Sequence, residues 1–170
     1  MSRRLFFALW PDDAGREALA QATRKAVKAS GGRPIPAENL HATLLFVGPV
    51  PDERVADIEA AASEVTPPAS FTLLFDHIDH WRKAGVLVAA ASQTPDEARS
   101  LASALMTSVA RTGITPDVKP FRAHVTVARK VVKPHEVGPM SSVSWSVGGF
   151  TLVESQTLPE GSRYTVLRRW

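Results

Sequence analysis

The sequence predicts an α+β fold of two pseudo-symmetric lobes, each an antiparallel sheet backed by helices, around a central cleft. Three observations predict it. Short apolar runs of strand length outnumber the amphipathic helical stretches. The order strand, Pro-Asp helix, glycine, strand occurs twice, once from Leu5 and once from Val86. Each copy ends in a His-x-Thr strand, His41-Ala42-Thr43 and His124-Val125-Thr126, and the two motifs lie 83 residues apart. The gaps from strand to motif nearly agree, 36 residues from Leu5 to His41 and 37 from Leu87 to His124. Residues 1–170 are read as one bilobal domain, a length ordinary for a single folding unit.

The elements follow in order. RLFFALW is an aromatic-rich apolar run and reads as a buried strand. Pro11 and the acids after it open a helix, because proline fits the first turn and carboxylates suit its positive end. Ala18, Leu19, Ala22, Ala26 and Val27 run along that helix, and Gly31-Gly32 ends it. RPIPAENL reads as a loop, and HATLLFVG as the first motif strand. A second helix spans 52–65 with Val55, Ile58, Ala62 and Val65 on one face, closed by Pro67-Pro68. SFTLLFD and GVLVAAAS are strands, and the segment after Phe75-Asp76 through Trp81 ends the former and turns. TPDEARSLASALMTSVARTG is a third helix with Leu101, Leu105, Met106 and Val109 inward. FRAHVTVARK is the second motif strand, and SVSWSV, FTLVES and RYTVLRRW make a strand-rich end.

Composition narrows the chemistry. Hydrophobic residues at 44% and charged residues at 22% suit a packed core and exclude a disordered chain. The absence of cysteine excludes a disulfide scaffold, a thiol nucleophile and thiolate metal sites. Net charge is only +3, yet arginine supplies 14 of the 20 cations, and its planar fork suits phosphate. The apolar run Leu5–Trp10 is too short for a secretory signal, and no stretch reaches the ~20 residues of a membrane span, so a cytoplasmic location is expected. No glycine-rich phosphate loop followed by Lys and Ser/Thr is present, so no nucleotide cofactor is expected.

Strand side chains alternate faces, so His41 and Thr43 share one face, and His124 and Thr126 another. Ala42, Leu44 and Phe46 fall on the packing side, as do Val125 and Val127. Two imidazoles on opposite sides of a bound phosphate suit in-line displacement: one takes a proton from the attacking oxygen, the other gives one to the leaving oxygen. An unperturbed pKa of ~6.5 lets neutral and protonated histidine coexist near neutrality. The threonine hydroxyls can donate to non-bridging oxygens. A lone His-x-Thr is an ordinary half-buried strand pattern; its repetition at equivalent places is what points to a site. Arg122 shares the face of His124 by alternation, and Arg129 follows the strand, so both are candidate phosphate ligands. Between Arg111 and His135 stand six cations and one acid, Asp117. Lys130 and Lys133 read as solvated charges. Phe7, Trp81, Trp145, Tyr164 and Trp170 read first as core and only second as base-stacking rings.

The segments RLFFALWPD, ENLHATLLFVG, FRAHVTVARK and FTLVESQTLPEGSRYTVLRRW resemble the 2H phosphoesterases, and among them the bacterial and archaeal RNA 2′,3′-cyclic phosphodiesterases, historically called 2′-5′ RNA ligases. The resemblance covers nearly the whole chain. It implies that His41, Thr43, His124 and Thr126 form the catalytic quartet and that Arg129 holds phosphate. It further implies two antiparallel lobes around a water-filled cleft, and a metal-independent reaction in which water opens a terminal cyclic phosphate of RNA to a 2′-phosphate. In that reaction His41 protonates the leaving O3′ and His124 activates the water.

Other readings differ in a cheap observable. A metal enzyme built on His77, Asp79 and His80 would lose activity in a chelator. A module that binds a nucleotide or RNA end without turnover has no need of two imidazoles. Small nucleotide-derived cyclic phosphates are an alternative substrate, and 2′-5′ joining of RNA ends an alternative direction. A two-lobed chain completes its own cleft, so a monomer is expected.

Overall fold

In the computed structural model, which describes residues 1–133 and 138–170, the elements run β1 (Ser2–Leu9), α1 (Asp13–Ser30), β2 (Arg33–Pro34), β3 (Ala42–Pro51), α2 (Val55–Ser63), β4 (Phe71–Trp81), β5 (Val86–Ala90), α3 (Asp96–Arg111), β6 (His124–Arg129), β7 (Gly138–Val147), β8 (Thr151–Leu158) and β9 (Gly161–Arg169). His135, at the end of the cationic stretch, lies outside the described residues.

Two antiparallel sheets result, one in the order β3-β1-β8-β9 and the other β2-β6-β5-β4-β7. The repeat is visible in them. In each sheet the strand that opens a copy, β1 or β5, pairs with the motif strand of the same copy, β3 or β6. The motif strands touch where the sheets meet. The last two strands return to the first sheet, with β8 beside β1.

The helices cross over. α1 follows β1 but packs on β5, β6 and β7 of the other sheet, and α3 follows β5 but packs on β3 and α2. The contact that seats α1 is close: Trp145 of β7 donates its indole N–H to the Gly15 carbonyl at 3.2 Å. A Cβ on Gly15 would stand 3.1 Å from that ring, which is why a residue without one lies there. Asp12 caps α1 by accepting from the Gly15 N–H at 2.7 Å, and Gly31 ends it in the left-handed region at φ 65°. The buried line of α1 is Leu19, Thr23, Val27 and Ser30. Its two hydroxyls are satisfied by the Leu19 and Val27 carbonyls at 2.9 and 2.7 Å. In α3, Leu101, Leu105 and Val109 are buried as expected, with Met106 packed at the core's edge.

Three stretches differ from the sequence reading. RPIPAENL contains the two-residue edge strand β2, which tolerates Pro34 because an edge needs fewer ladder bonds. β4 does not turn after Asp76; it runs through Trp81, since His77 to Trp81 all pair with β5. The motif strands, finally, are not regular, and this shapes the cleft.

Candidate active site

The sheet faces turned away from the helices enclose a cavity of about 820 Å3. It is lined by His41, Thr43, His124, Thr126 and Arg129, together with Asn39, Phe46 and Tyr164. Both motifs therefore open on one space, as the alternation of each strand requires.

Each imidazole is anchored alike. His41 Nδ1 lies 2.7 Å from the Asn39 carbonyl, and His124 Nδ1 lies 2.7 Å from the Arg122 carbonyl, in both cases the residue two positions upstream. A carbonyl only accepts, so Nδ1 carries the proton and Nε2 is left as the reactive nitrogen of the neutral ring. The rings rest on aromatic supports that differ. His41 stacks on Trp10 at 5.0 Å and 3° between planes, with Phe6 at 5.0 Å and Tyr164 edge-on at 5.1 Å. His124 lies tilted over Trp81 at 4.3 Å. Burial among these rings pushes the His41 pKa down to about 4, with the charges of Arg129 and His124 adding to the effect and the Asn39 carbonyl opposing it. His124 is lowered too, by burial first and by the Arg122 charge, against the pull of its backbone hydrogen bond.

Arg129 reaches the cleft through a β-bulge. In a regular strand it would face away from His124, five residues earlier. The pairing of β5 with β6 slips between Leu87 and Val88, so that Leu87 opposes Ala128 while Val88 opposes Thr126. Val127 and Ala128 are consequently both buried, and Arg129 emerges on the cleft side. The first copy has the same bulge at the same place: Phe7 opposes Leu45, Ala8 opposes Thr43, and Leu44 and Leu45 are both buried. That turns Phe46, equivalent to Arg129, into the cavity with 50% of its surface exposed. The expectation that Phe46 packs inward is thus overturned, because it assumed unbroken alternation. The apolar doublets Leu44-Leu45 and Val127-Ala128 were the available signal, since an apolar residue on both faces breaks a half-buried strand's period.

Arg122 is placed elsewhere. β6 begins only at His124, so alternation does not extend to Arg122, and its guanidinium sits 5.7 Å over the Trp81 ring rather than on the cavity wall. Of the unsorted rings, Phe7 and Trp145 are buried in the core and Trp170 packs against it, whereas Tyr164 lines the cleft and Trp81 supports His124. His77 is engaged by Asp76 at 2.7 Å, and Asp79 accepts from the Trp81 indole at 2.9 Å. Among the described residues no group of three or more His, Cys, Asp or Glu side chains comes together as metal ligands. No helix among them is long and apolar enough to cross a membrane.

Comparison with known proteins supplies the family. The family model described as LigT like Phosphoesterase matches residues 9–88. The RNA 2′,3′-cyclic phosphodiesterase of Escherichia coli is 32% identical over 99% of this chain and 96% of its own length. That of Archaeoglobus fulgidus is 34% identical over 97% of this chain and 98% of its own. The crystal structure of Escherichia coli LigT complexed with 3′-AMP superposes with a TM-score of 0.90, covering 100% of this chain and 98% of the other at 32% identity. Two His-x-Thr strands brought to one cavity by a repeated fold, and kinship over nearly the full length, establish that this chain belongs to the LigT-like phosphoesterases.

Proposed function

We infer that this protein hydrolyses the 2′,3′-cyclic phosphate at the end of an RNA to a 2′-phosphomonoester, using its own side chains as acid and base. The observation that carries the reading is the pair of imidazoles from different sheets, each anchored through Nδ1 and each offering Nε2 to the same cavity. The names of the full-length relatives support the substrate.

In this mechanism the cyclic phosphate lies between the two motifs. His124, on the more open side, takes a proton from water at Nε2 as the water oxygen bonds to phosphorus. The P–O3′ bond breaks, and His41 delivers its Nε2 proton to O3′. Thr43 and Thr126 donate to the non-bridging oxygens, where charge grows, and Arg129 neutralises it from the second sheet. A phosphate anion held against His41 raises its pKa from the low value that burial imposes in the empty cleft, and so favours on His41 the proton that the mechanism places there. Phe46, exposed beside this centre, offers a face on which the terminal base stacks. Joining of a 2′-5′ bond uses the same groups, with an RNA hydroxyl held where water otherwise attacks. Each sheet supplies one motif, so residues 1–170 act as one unit and as a monomer, and an RNA substrate places the work in the cytoplasm.

The test is a short RNA ending in a 2′,3′-cyclic phosphate, incubated in excess EDTA. The expected product carries a 2′-phosphate and resists a 3′-specific phosphatase. His41→Ala and His124→Ala each lower kcat by on the order of 10²-fold or more. A requirement for added metal, or a 3′-phosphate product, would overturn the reading.

A further inference from the structure

The cavity is longer than one cyclic phosphate requires. From the motif it continues along the first sheet to Arg4, Ser155 and Thr157. Arg4 shares the cleft face of β1 with Phe6 and Ala8, and its cross-strand partner on β8 is Ser155. Its neighbour Arg3, on the opposite face, is committed to Asp52 at 3.4 Å and Glu154 at 3.8 Å. Among the described residues no carboxylate pairs with Arg4. Among the described residues the acid on the cavity wall is Asp117, and it is taken by Lys119 at 2.6 Å. An exposed, uncommitted guanidinium flanked by hydroxyls, with the nearby acid neutralised, is a place that favours a phosphate oxygen.

Spacing gives that phosphate an identity. Thr43 opposes Ala8, Phe46 opposes Phe6, and Pro49 opposes Arg4. Along one sheet face the order is therefore phosphate-binding motif, exposed aromatic ring, free arginine. Arg4 lies four residues from Ala8, about 13 Å along the strand at 3.2–3.4 Å per residue, and its side chain shortens the span. A terminal nucleoside with its cyclic phosphate at Thr43 and its base on Phe46 has room to extend its 5′ oxygen along the same face toward Arg4. We propose that Arg4, with Ser155 and Thr157, is a second phosphate subsite that takes the phosphodiester 5′ of the terminal nucleoside. The subsite selects an RNA chain over a cyclic mononucleotide, and it rests on the functional reading given above.

The test compares three substrates in wild type and R4Q: adenosine 2′,3′-cyclic phosphate, its 5′-phosphorylated form, and the dinucleotide ApA with a terminal cyclic phosphate. Wild type is expected to prefer the dinucleotide over the mononucleotide through KM. R4Q is expected to shrink that preference roughly tenfold, the scale of one charge-assisted contact, and to lower the salt slope of log KM by about 0.7. A dinucleotide with a neutral methylphosphonate linkage reproduces the loss in wild type, which needs no variant to fold. R4K, keeping the charge without the fork, falls between. An equal loss on all substrates, or no change in the preference, overturns the subsite. A response of the 5′-phosphorylated mononucleotide without one of the dinucleotide overturns its assignment to an RNA chain. Failure of the functional reading looks different, because wild type would then turn over none of the three.

Discussion

His41 and His124 share a residue type, a motif and an anchor, yet their surroundings separate them. Trp10, Phe6 and Tyr164 close around His41, whereas His124 has Trp81 on one side and the open cleft on the other. Both pKa values lie below the ordinary 6.5 in the empty cleft, His41 at about 4. The proposed reaction needs His41 protonated and His124 neutral. With His41 the more strongly lowered, the singly protonated pair carries its proton mainly on His124, and the productive form is a minor share of that pair that peaks with it. Hence kcat/KM, which reports the free enzyme, is expected to follow a bell with its maximum below pH 6.5 and to fall as pH rises. The bell in kcat shifts to higher pH, because a bound phosphate anion stabilises both imidazolium forms. Initial rates from pH 4.5 to 9 check this, and a monotonic rise in kcat/KM from pH 5 to 9 would sink it. Little of this asymmetry could be read in advance: the motifs offer two candidate imidazoles, but desolvation depends on Phe6, Trp10 and Tyr164, far apart in the chain.

At the scale of elements, the helix and strand signals were legible wherever they were local. Asp12, the acids after it and Gly31 bracket α1 because capping and left-handed backbone are properties of a few neighbouring residues. Asp12→Ala removes the acceptor for the Gly15 N–H at the end of the helix that holds Trp145, and is expected to cost about 1 kcal/mol. Denaturant midpoints with an unchanged slope check it. The bulges were harder to see. A period-2 reading carries Phe46 to the wrong side and leaves Arg129 unplaced, because one inserted residue reverses every later side chain. Register belongs to the pair of strands, so β3 and β6 alone do not reveal it.

The whole molecule depends on exchange between the halves. The repeat implies two lobes, but α1 covers the sheet of the second copy, α3 that of the first, and β8 and β9 complete the first sheet from the chain's far end. Neither copy can bury its apolar helix face and sheet face by itself. The fragment 1–84, which ends between β4 and β5, is accordingly expected to lack cooperative unfolding and dispersed amide signals in an NMR spectrum. A folded fragment with a thermal transition of its own would show that the crossed helices are dispensable. The same crossing holds the two motifs in register across the cleft, since each motif strand is backed by a helix that begins in the other half.

The sequence by itself determined the α+β class, the helices and most strands, the duplication and the two His-x-Thr motifs, because each is encoded in spacing between near neighbours or in self-similarity along the chain. Tertiary structure alone decided that Phe46 enters the cleft, that Arg122 lies over Trp81 while Arg129 enters the cavity, that His41 is the more buried imidazole, and that Arg4 reaches the cavity's far end with no carboxylate partner among the described residues. Those outcomes follow from strand register, bulges and the burial of one segment by another, and such terms exist only when distant residues meet.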